Sequence, residues 1–316
     1  MPELPVYPPM LATPGTLPPA AEDAQWAYET KLDGQRCLAY LPGDGTVRLR
    51  SRSGADITAA YPELHALRDV LGRRPAVLDG EVVALDEHGR SDFERLQSRM
   101  GLADHPAEAA RMRDRIPARL LLFDLLFLDR RPLPARPYAE RRRLLEDLDL
   151  RGPAWSTPAA LVGHGAEALA ATREAGLEGL VCKRLDSVYT PGERSPNWVK
   201  IRHALTLDVI VGGWLPGRGR LAGLPGALLV GVRDANTLRF VGAVGTGFSD
   251  RERAMFGELL AVAELDECPF TPDPQLVDAH WVLPRLVGEV RYATRTRAGL
   301  LRHPVWHRLR PDLAED

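Results

Sequence analysis

The amino-acid sequence predicts an α+β protein of two domains, with antiparallel sheets and flanking helices over residues 1–204 and an all-β barrel over residues 205–316. Three observations lead there. At 316 residues the chain exceeds the usual size of a single core. Its amino-terminal part interleaves strand-like runs with helical segments. Beyond Thr206, short strands joined by glycine-rich turns take over.

The first 25 residues are rich in proline and alanine, including Pro8-Pro9 and Pro18-Pro19, and should run as an extended strap with little chemistry. Strand-like runs follow at Trp26 to Asp33, Arg36 to Leu41, Val47 to Arg52, Ala76 to Leu85, Leu120 to Leu128, Leu177 to Lys183 and Trp198 to Arg202. Helical spacing or good helix formers mark Ala59 to Leu71, Phe93 to Met100, Ala139 to Leu148 and Ala166 to Ala175. In the second domain, strands are expected at Asp208 to Trp214, Ala227 to Val232, Leu238 to Val244 and Leu286 to Tyr292, with a helix at Asp250 to Ala263. Such a pattern suits a small barrel of the oligonucleotide-binding (OB) type, and periodicity alone does not separate it from other small barrels.

A hydrophobic fraction of 45% with 27% charged residues is ordinary for globular protein and argues against disorder. The net charge of −2 gives no global pull toward polyanions, so any such site must be local. One local cluster exists: Arg285 to Arg310 holds seven arginines and two histidines against a single acid, Glu289. Cys37, Cys182 and Cys268 are widely spaced and form neither a disulfide framework nor a zinc pattern. With no signal-peptide pattern at the start and no apolar run long enough to span a membrane, the chain is expected in the cytoplasm, as a monomer.

Only three of the 41 basic residues are lysines: Lys31, Lys183 and Lys200. An ammonium can lose its proton and attack an electrophile, whereas a guanidinium keeps its charge, so the surviving lysines are candidates for chemistry. Strand alternation would point Glu29, Lys31 and Asp33 the same way, two acids around one amine, with Gly34 permitting a turn before Arg36. Asp79 and Glu81 share a face in a run that otherwise looks buried, and Asp124 poses the same problem in the next. The residues around Phe123 favour core over a stacking platform. Glu178 and Lys183 fall on opposite faces under strict alternation, which weakens Lys183 unless Gly179 marks a bulge. Trp198, Lys200 and Arg202 line one face, two cations suited to a phosphate.

Taken in order, these segments resemble the covalent nucleotidyltransferase superfamily of ATP-dependent DNA ligases, RNA ligases and mRNA capping enzymes. Lys31-Leu-Asp-Gly-Gln-Arg36 is similar to the nucleophile motif, Arg50-Ser-Arg-Ser-Gly54 to the arginine motif and Asp79-Gly-Glu81 to the one that follows. Phe123-Asp124, Tyr138 to Leu145, Glu178 to Lys183 and Trp198 to Arg202 complete the set. Phe240 to Phe248 and Gly299 to Trp306 resemble the barrel of bacterial end-joining DNA ligases, in stand-alone form. The resemblance implies an ATP-grasp-like nucleotidyltransferase domain followed by an OB-fold.

That resemblance implies that Lys31 attacks ATP and carries AMP, which passes to a DNA 5′-phosphate before a 3′-hydroxyl displaces it. Asp33 and Lys200 join Lys31 in the catalytic set. Glu29, Arg36, Arg52, Glu81, Phe123, Lys183, Arg194 and Arg202 would bind the nucleotide, with Phe123 stacked on adenine. Glu178 and Glu81 would hold Mg²⁺ or Mn²⁺, and Arg50, Arg302, Arg308 and Arg310 would contact nicked or broken duplex DNA. A Ku-like end-binding protein is the partner the resemblance raises. Two positions depart from the pattern: Arg202 stands for a usual lysine, and the final R-x-D-K element reads Arg310-Pro-Asp-Leu313. The alternatives are an RNA ligase, or a nick-binding scaffold that has lost catalysis.

Overall fold

The computed structural model describes residues 4–203, 205–235 and 237–313. The chain divides into two compact units, Met1–Arg202 and His203–Asp316. Among the described residues no helix is long and apolar enough to cross a membrane.

The first unit contains two sheets. One runs in the order β1-β11-β10-β2-β9, built from β1 (Leu11–Pro14), β2 (Trp26–Thr30), β9 (Leu161–Val162), β10 (Gly179–Arg184) and β11 (Arg194–Arg202). The other has the order β4-β3-β5-β6-β7, built from β3 (Gln35–Leu41), β4 (Arg48–Ser51), β5 (Ala76–Ala84), β6 (Ala118–Leu128) and β7 (Arg131–Pro132), with β8 (Trp155–Ser156) beside β6. Central position explains why β5 reads as a continuous apolar run: it is flanked by β3 and β6 and is buried along nearly its whole length. Four α-helices accompany the sheets: α1 (Phe93–Gln97), α2 (Pro106–Arg115), α3 (Tyr138–Asp147) and α4 (Gly165–Glu174).

Several elements differ from the sequence expectation. The strap is not featureless: β1 pairs parallel with β11, and Ala20–Gln25 forms a 3₁₀ turn. The expected helix over Ala59 to Leu71 is instead two 3₁₀ segments, Thr58–Ala60 and Pro62–Asp69. Pro62 is the cause, because the residue before a proline is pushed out of the helical region, and Tyr61 sits at φ −128°. Helix α2 was not apparent in the sequence, since only Ala109 is buried along it and no apolar stripe results.

The second unit is a seven-stranded sheet with one helix. Its strands are β12 (Leu205–Pro216), β13 (Pro225–Asp234), β14 (Thr237–Val244), β15 (Glu264–Leu265), β16 (His280–Val282), β17 (Val287–Tyr292) and β20 (Val305–Leu309). A two-stranded pair, β18 (Thr294–Arg295) and β19 (Leu301–Arg302), stands apart. Long β12 pairs with β13, β16 and β17. Helix α5 (Asp250–Ala261) starts at a capping box, Ser249 with Glu252, and packs Phe256 and Leu260 into a core with Trp306.

Candidate active site

A pocket of about 700 Å³ opens in the first unit, and all three lysines line it. Antiparallel register builds one wall. Glu29 on β2, Val181 on β10 and Lys200 on β11 lie directly across from one another, so they share a face. Lys183 shares that face two residues beyond Val181, opposite Trp198. The second sheet contributes Arg36 opposite Glu81, and Phe123 from β6.

Phe123 reaches the pocket through a bulge. Asp79 pairs with Asp124 and Gly80 with Leu122, which leaves Phe123 as the extra residue on β6, and such a residue is re-aimed out of the regular alternation. Phe123 is half-buried: it packs against the core cluster that holds Met10, Leu38 and Trp198, as the core reading expects, and it also lines the pocket. Arg36 lies 4.7 Å from its centroid and Lys183 4.4 Å.

The expected strand through Asp33 ends at Thr30, so Lys31 lies in the loop that follows β2. There its amide donates to the Gly179 carbonyl at 2.9 Å. Gly179 has φ +145°, and a Cβ on it would lie 2.0 Å from the Ile201 carbonyl, so only glycine fits. This junction brings Glu178 to Lys31. The Lys31 amine donates to Glu178 Oε2 at 2.5 Å, and Arg202 donates to Glu178 Oε1 at 2.8 Å. The acid paired with the amine is thus Glu178 rather than Glu29, while Asp33, expected beside the amine, lines the same pocket as Lys31. The placement of Glu178 and Lys183 on opposite faces fails as well, because Glu178 precedes the strand and escapes its alternation.

Glu29 pairs instead with Lys183, at 2.7 Å, and accepts from the Tyr138 hydroxyl. Burial draws the Lys183 ammonium below its usual range, against the pull of Glu29. Lys200 is also drawn down, first by burial and then by the cations Arg202, Arg194, Lys31 and Arg52. Among the described residues none of its contacts is an ion pair. Arg52 and Arg194 line the pocket, and Arg194 donates to the Ala12 carbonyl at 2.5 Å. One region of the site is thus rich in cations, and another is walled by Phe123, Trp198 and the Glu29 carboxylate.

Burial pushes the Glu81 carboxyl up to about 7, against the pull of Arg36 and Lys31. Arg36 is held in a fork by Asp79, with both contacts at 2.6 Å, and Asp79 also accepts from Tyr189 at 2.7 Å. The strap, expected to carry little chemistry, takes part: the Met10 carbonyl accepts from Arg36, the Met10 amide donates to Tyr189, and Leu11 and Ala12 line the pocket. Sequence reasoning also missed Phe93 and Met100 on the pocket wall, because neither stands in a recognisable pattern.

Of the arginines expected on DNA, Arg50 lies on β4 with its guanidinium 5.7 Å from the Tyr40 ring. Arg302 is on β19. Arg308 is paired with Glu289 at 2.7 Å, and Arg310 with Asp312 at 2.8 Å and Asp208 at 3.0 Å.

A lysine amine, a cluster of cations, an aromatic wall and acidic side chains thus share one pocket. Residues 9–202 match the ATP dependent DNA ligase domain, and residues 222–313 the ATP dependent DNA ligase C terminal region. The chain belongs to the ATP-dependent DNA ligase family, and its two parts are the nucleotidyltransferase and OB-fold domains of that family.

The chain is 44% identical over 307 residues to the multifunctional non-homologous end joining DNA repair protein LigD of Mycobacterium tuberculosis, covering 96% of this chain and 38% of that protein. It is 36% identical over 246 residues to a DNA ligase of Thermococcus onnurineus, covering 75% of this chain and 43% of that one. The solved ligase domain of M. tuberculosis LigD shares 42% identity at a TM-score of 0.57, with 98% of this chain and 96% of that chain covered. The chain thus spans well under half the length of the LigD protein it matches.

Proposed function

We propose that this chain seals 5′-phosphate/3′-hydroxyl breaks in duplex DNA, with Lys31 as the nucleophile that carries AMP. The observation that carries this reading is the Lys31 amine in the same pocket as Lys200, Arg194 and Arg52. In the first step the Lys31 nitrogen, having given up a proton, bonds to the α-phosphorus of ATP and the bond to the bridging oxygen breaks, releasing pyrophosphate. AMP then moves to the 5′-phosphate, and the 3′-hydroxyl attacks that phosphate and releases AMP. Phosphoryl transfer of this kind depends on alignment and on neutralising charge at the phosphate oxygens. Lys200, Arg194, Arg52 and Arg202 supply that charge, and Glu178 is placed to accept the Lys31 proton at 2.5 Å.

Glu178 and Glu81 are the oxygen donors that would hold Mg²⁺ or Mn²⁺, with Asp33 in support. Among the described residues no group of three or more candidate ligands gathers. That fits a hard cation, since magnesium is commonly held by one or two carboxylates and completed by substrate phosphates. Such an ion would neutralise charge on the triphosphate. The likeness to LigD, a non-homologous end joining DNA repair protein, supports a role in end joining; a Ku-like end-binding partner, a place in the bacterial cytosol and a monomeric state complete the proposal.

The test is covalent labelling with α-labelled ATP and Mg²⁺. Wild type should become labelled and Lys31→Arg should not, at an unchanged melting temperature, because a guanidinium keeps its proton. A labelled Lys31→Arg protein would remove Lys31 from the role, and an unlabelled wild type would favour the scaffold reading. Sealing of nicks with DNA or RNA at either side separates a DNA ligase from an RNA ligase.

A further inference from the structure

Glu29 is more heavily constrained than a contact with substrate alone requires. Its side chain is 9% exposed, and two donors and a guanidinium converge on it from two elements. Lys183 of β10 holds Oε2 at 2.7 Å. The Tyr138 hydroxyl donates to Oε1. Arg142 stands one helical turn beyond Tyr138 on α3, hence on the same face, and its Nη1 lies 3.7 Å from Oε1. That Nη1 is buried and has no hydrogen-bond partner among the described residues, while the rest of the guanidinium is fixed by Glu146 and the Pro158 carbonyl. Tyr138 is itself anchored, its amide donating to Ser187 at 2.7 Å.

An ionised carboxylate can only accept hydrogen bonds, whereas a protonated one can also donate. Lys183 and the Tyr138 hydroxyl donate to its two oxygens and the Arg142 guanidinium stands beside Oε1, so Glu29 meets the pocket as an acceptor whose remaining lone pairs are fixed in direction. Glu29 and Phe123 both line the pocket. A base lying against Phe123 would therefore meet an obligate acceptor. Adenine offers an exocyclic amine there, and guanine offers a carbonyl oxygen that an ionised carboxylate repels.

We propose that Tyr138 and Arg142 are positioning residues that act through Glu29 to set the preference of the pocket for ATP over GTP. This rests on reading the site as that of an ATP-using ligase. Loosening the clamp should let Glu29 rotate, and so tolerate the oxo base.

The test is the rate of covalent self-nucleotidylation with labelled ATP and labelled GTP, together with sealing of a nick that already carries AMP. Tyr138→Phe keeps the ring and removes the hydroxyl. The ATP:GTP preference should fall about tenfold, the scale of one hydrogen bond to a charged group, through a raised KM for ATP, with sealing of the adenylated nick unchanged. Arg142→Gln should shift the preference in the same direction by less, and it carries the test should Tyr138→Phe prove unstable. An unchanged preference, or equal losses with both nucleotides, overturns the proposal and leaves Tyr138 a packing residue. Absence of label on wild type with ATP would overturn the ligase reading itself, and is distinguished by being independent of either substitution.

Discussion

Glu81 carries its proton to about 7, far above the 4.5 of an ordinary glutamate, because burial disfavours its charge. The folded state therefore binds more protons than the unfolded chain between those two values, and stability falls as pH rises through that window. Glu81→Gln cannot titrate. Denaturant unfolding at pH 5 and pH 7.5 should show wild type losing stability relative to Glu81→Gln, and parallel profiles would show that Glu81 titrates normally. Leu313 is a second residue whose identity carries a consequence. It is 41% exposed in a 3₁₀ turn, at the position where the family resemblance leads to the expectation of a lysine, and the nearby Arg308 and Arg310 are already paired with acids. Leu313→Lys should speed self-adenylation by roughly tenfold, the worth of one charge-assisted contact to pyrophosphate, and leave sealing of an adenylated nick almost unchanged. Single-turnover rates of both steps decide this, with equal gains or none removing Leu313 from the first step.

Lys31 and Lys200 line one pocket with Glu178 paired to Lys31, and that these three stand out was legible in the sequence. Partners were not, because they come from distant elements. Helix α3 is the clearest case. Its Tyr138 and Arg142 meet Glu29, and its Arg141 forks onto Asp124 at 2.8 and 2.9 Å, solving the problem of an acid in an apolar strand. Both members of that pair are fully buried. Breaking such a pair leaves a lone buried charge, so Arg141→Met should cost about 3–5 kcal/mol, and Asp124→Leu added to it should restore most of the loss. Urea unfolding of the single and double variants measures this; a single variant within about 1 kcal/mol of wild type would show that the buried pair is not what holds this region together. Alternation failed at Phe123 because a bulge adds a residue to β6, and it does not reach Glu178 because that residue precedes β10; neither feature has a periodic signature.

For the whole molecule, net charge is a poor guide to what it binds. The sum is −2, yet acids are spent on pairing particular arginines while others, such as Arg50 and Arg52, occupy the same sheet margin as the pocket. Binding to a nicked duplex should fall steeply with salt, with a log–log slope of about −3 or steeper if three or more phosphates are neutralised. Fluorescence anisotropy over a salt series reads that slope, and a flat dependence would count against backbone contact. The two-domain division was legible because the strand spacing changes near Thr206, whereas the contribution of the strap was hidden by its proline content, which says how the chain runs but not what it touches.

The confinement of all three lysines to one pocket has a practical consequence. Selective isotopic labelling of lysine side chains would give three nitrogen resonances, and every one would report on the same cavity. Lys31 faces Glu178, Lys183 faces Glu29, and Lys200 lies among like charges, so the three sit in distinct electrostatic surroundings. Titrating in nucleotide would then follow the arrival of the triphosphate, the covalent capture of AMP and the release of pyrophosphate on a silent background, with no engineered probe in the protein.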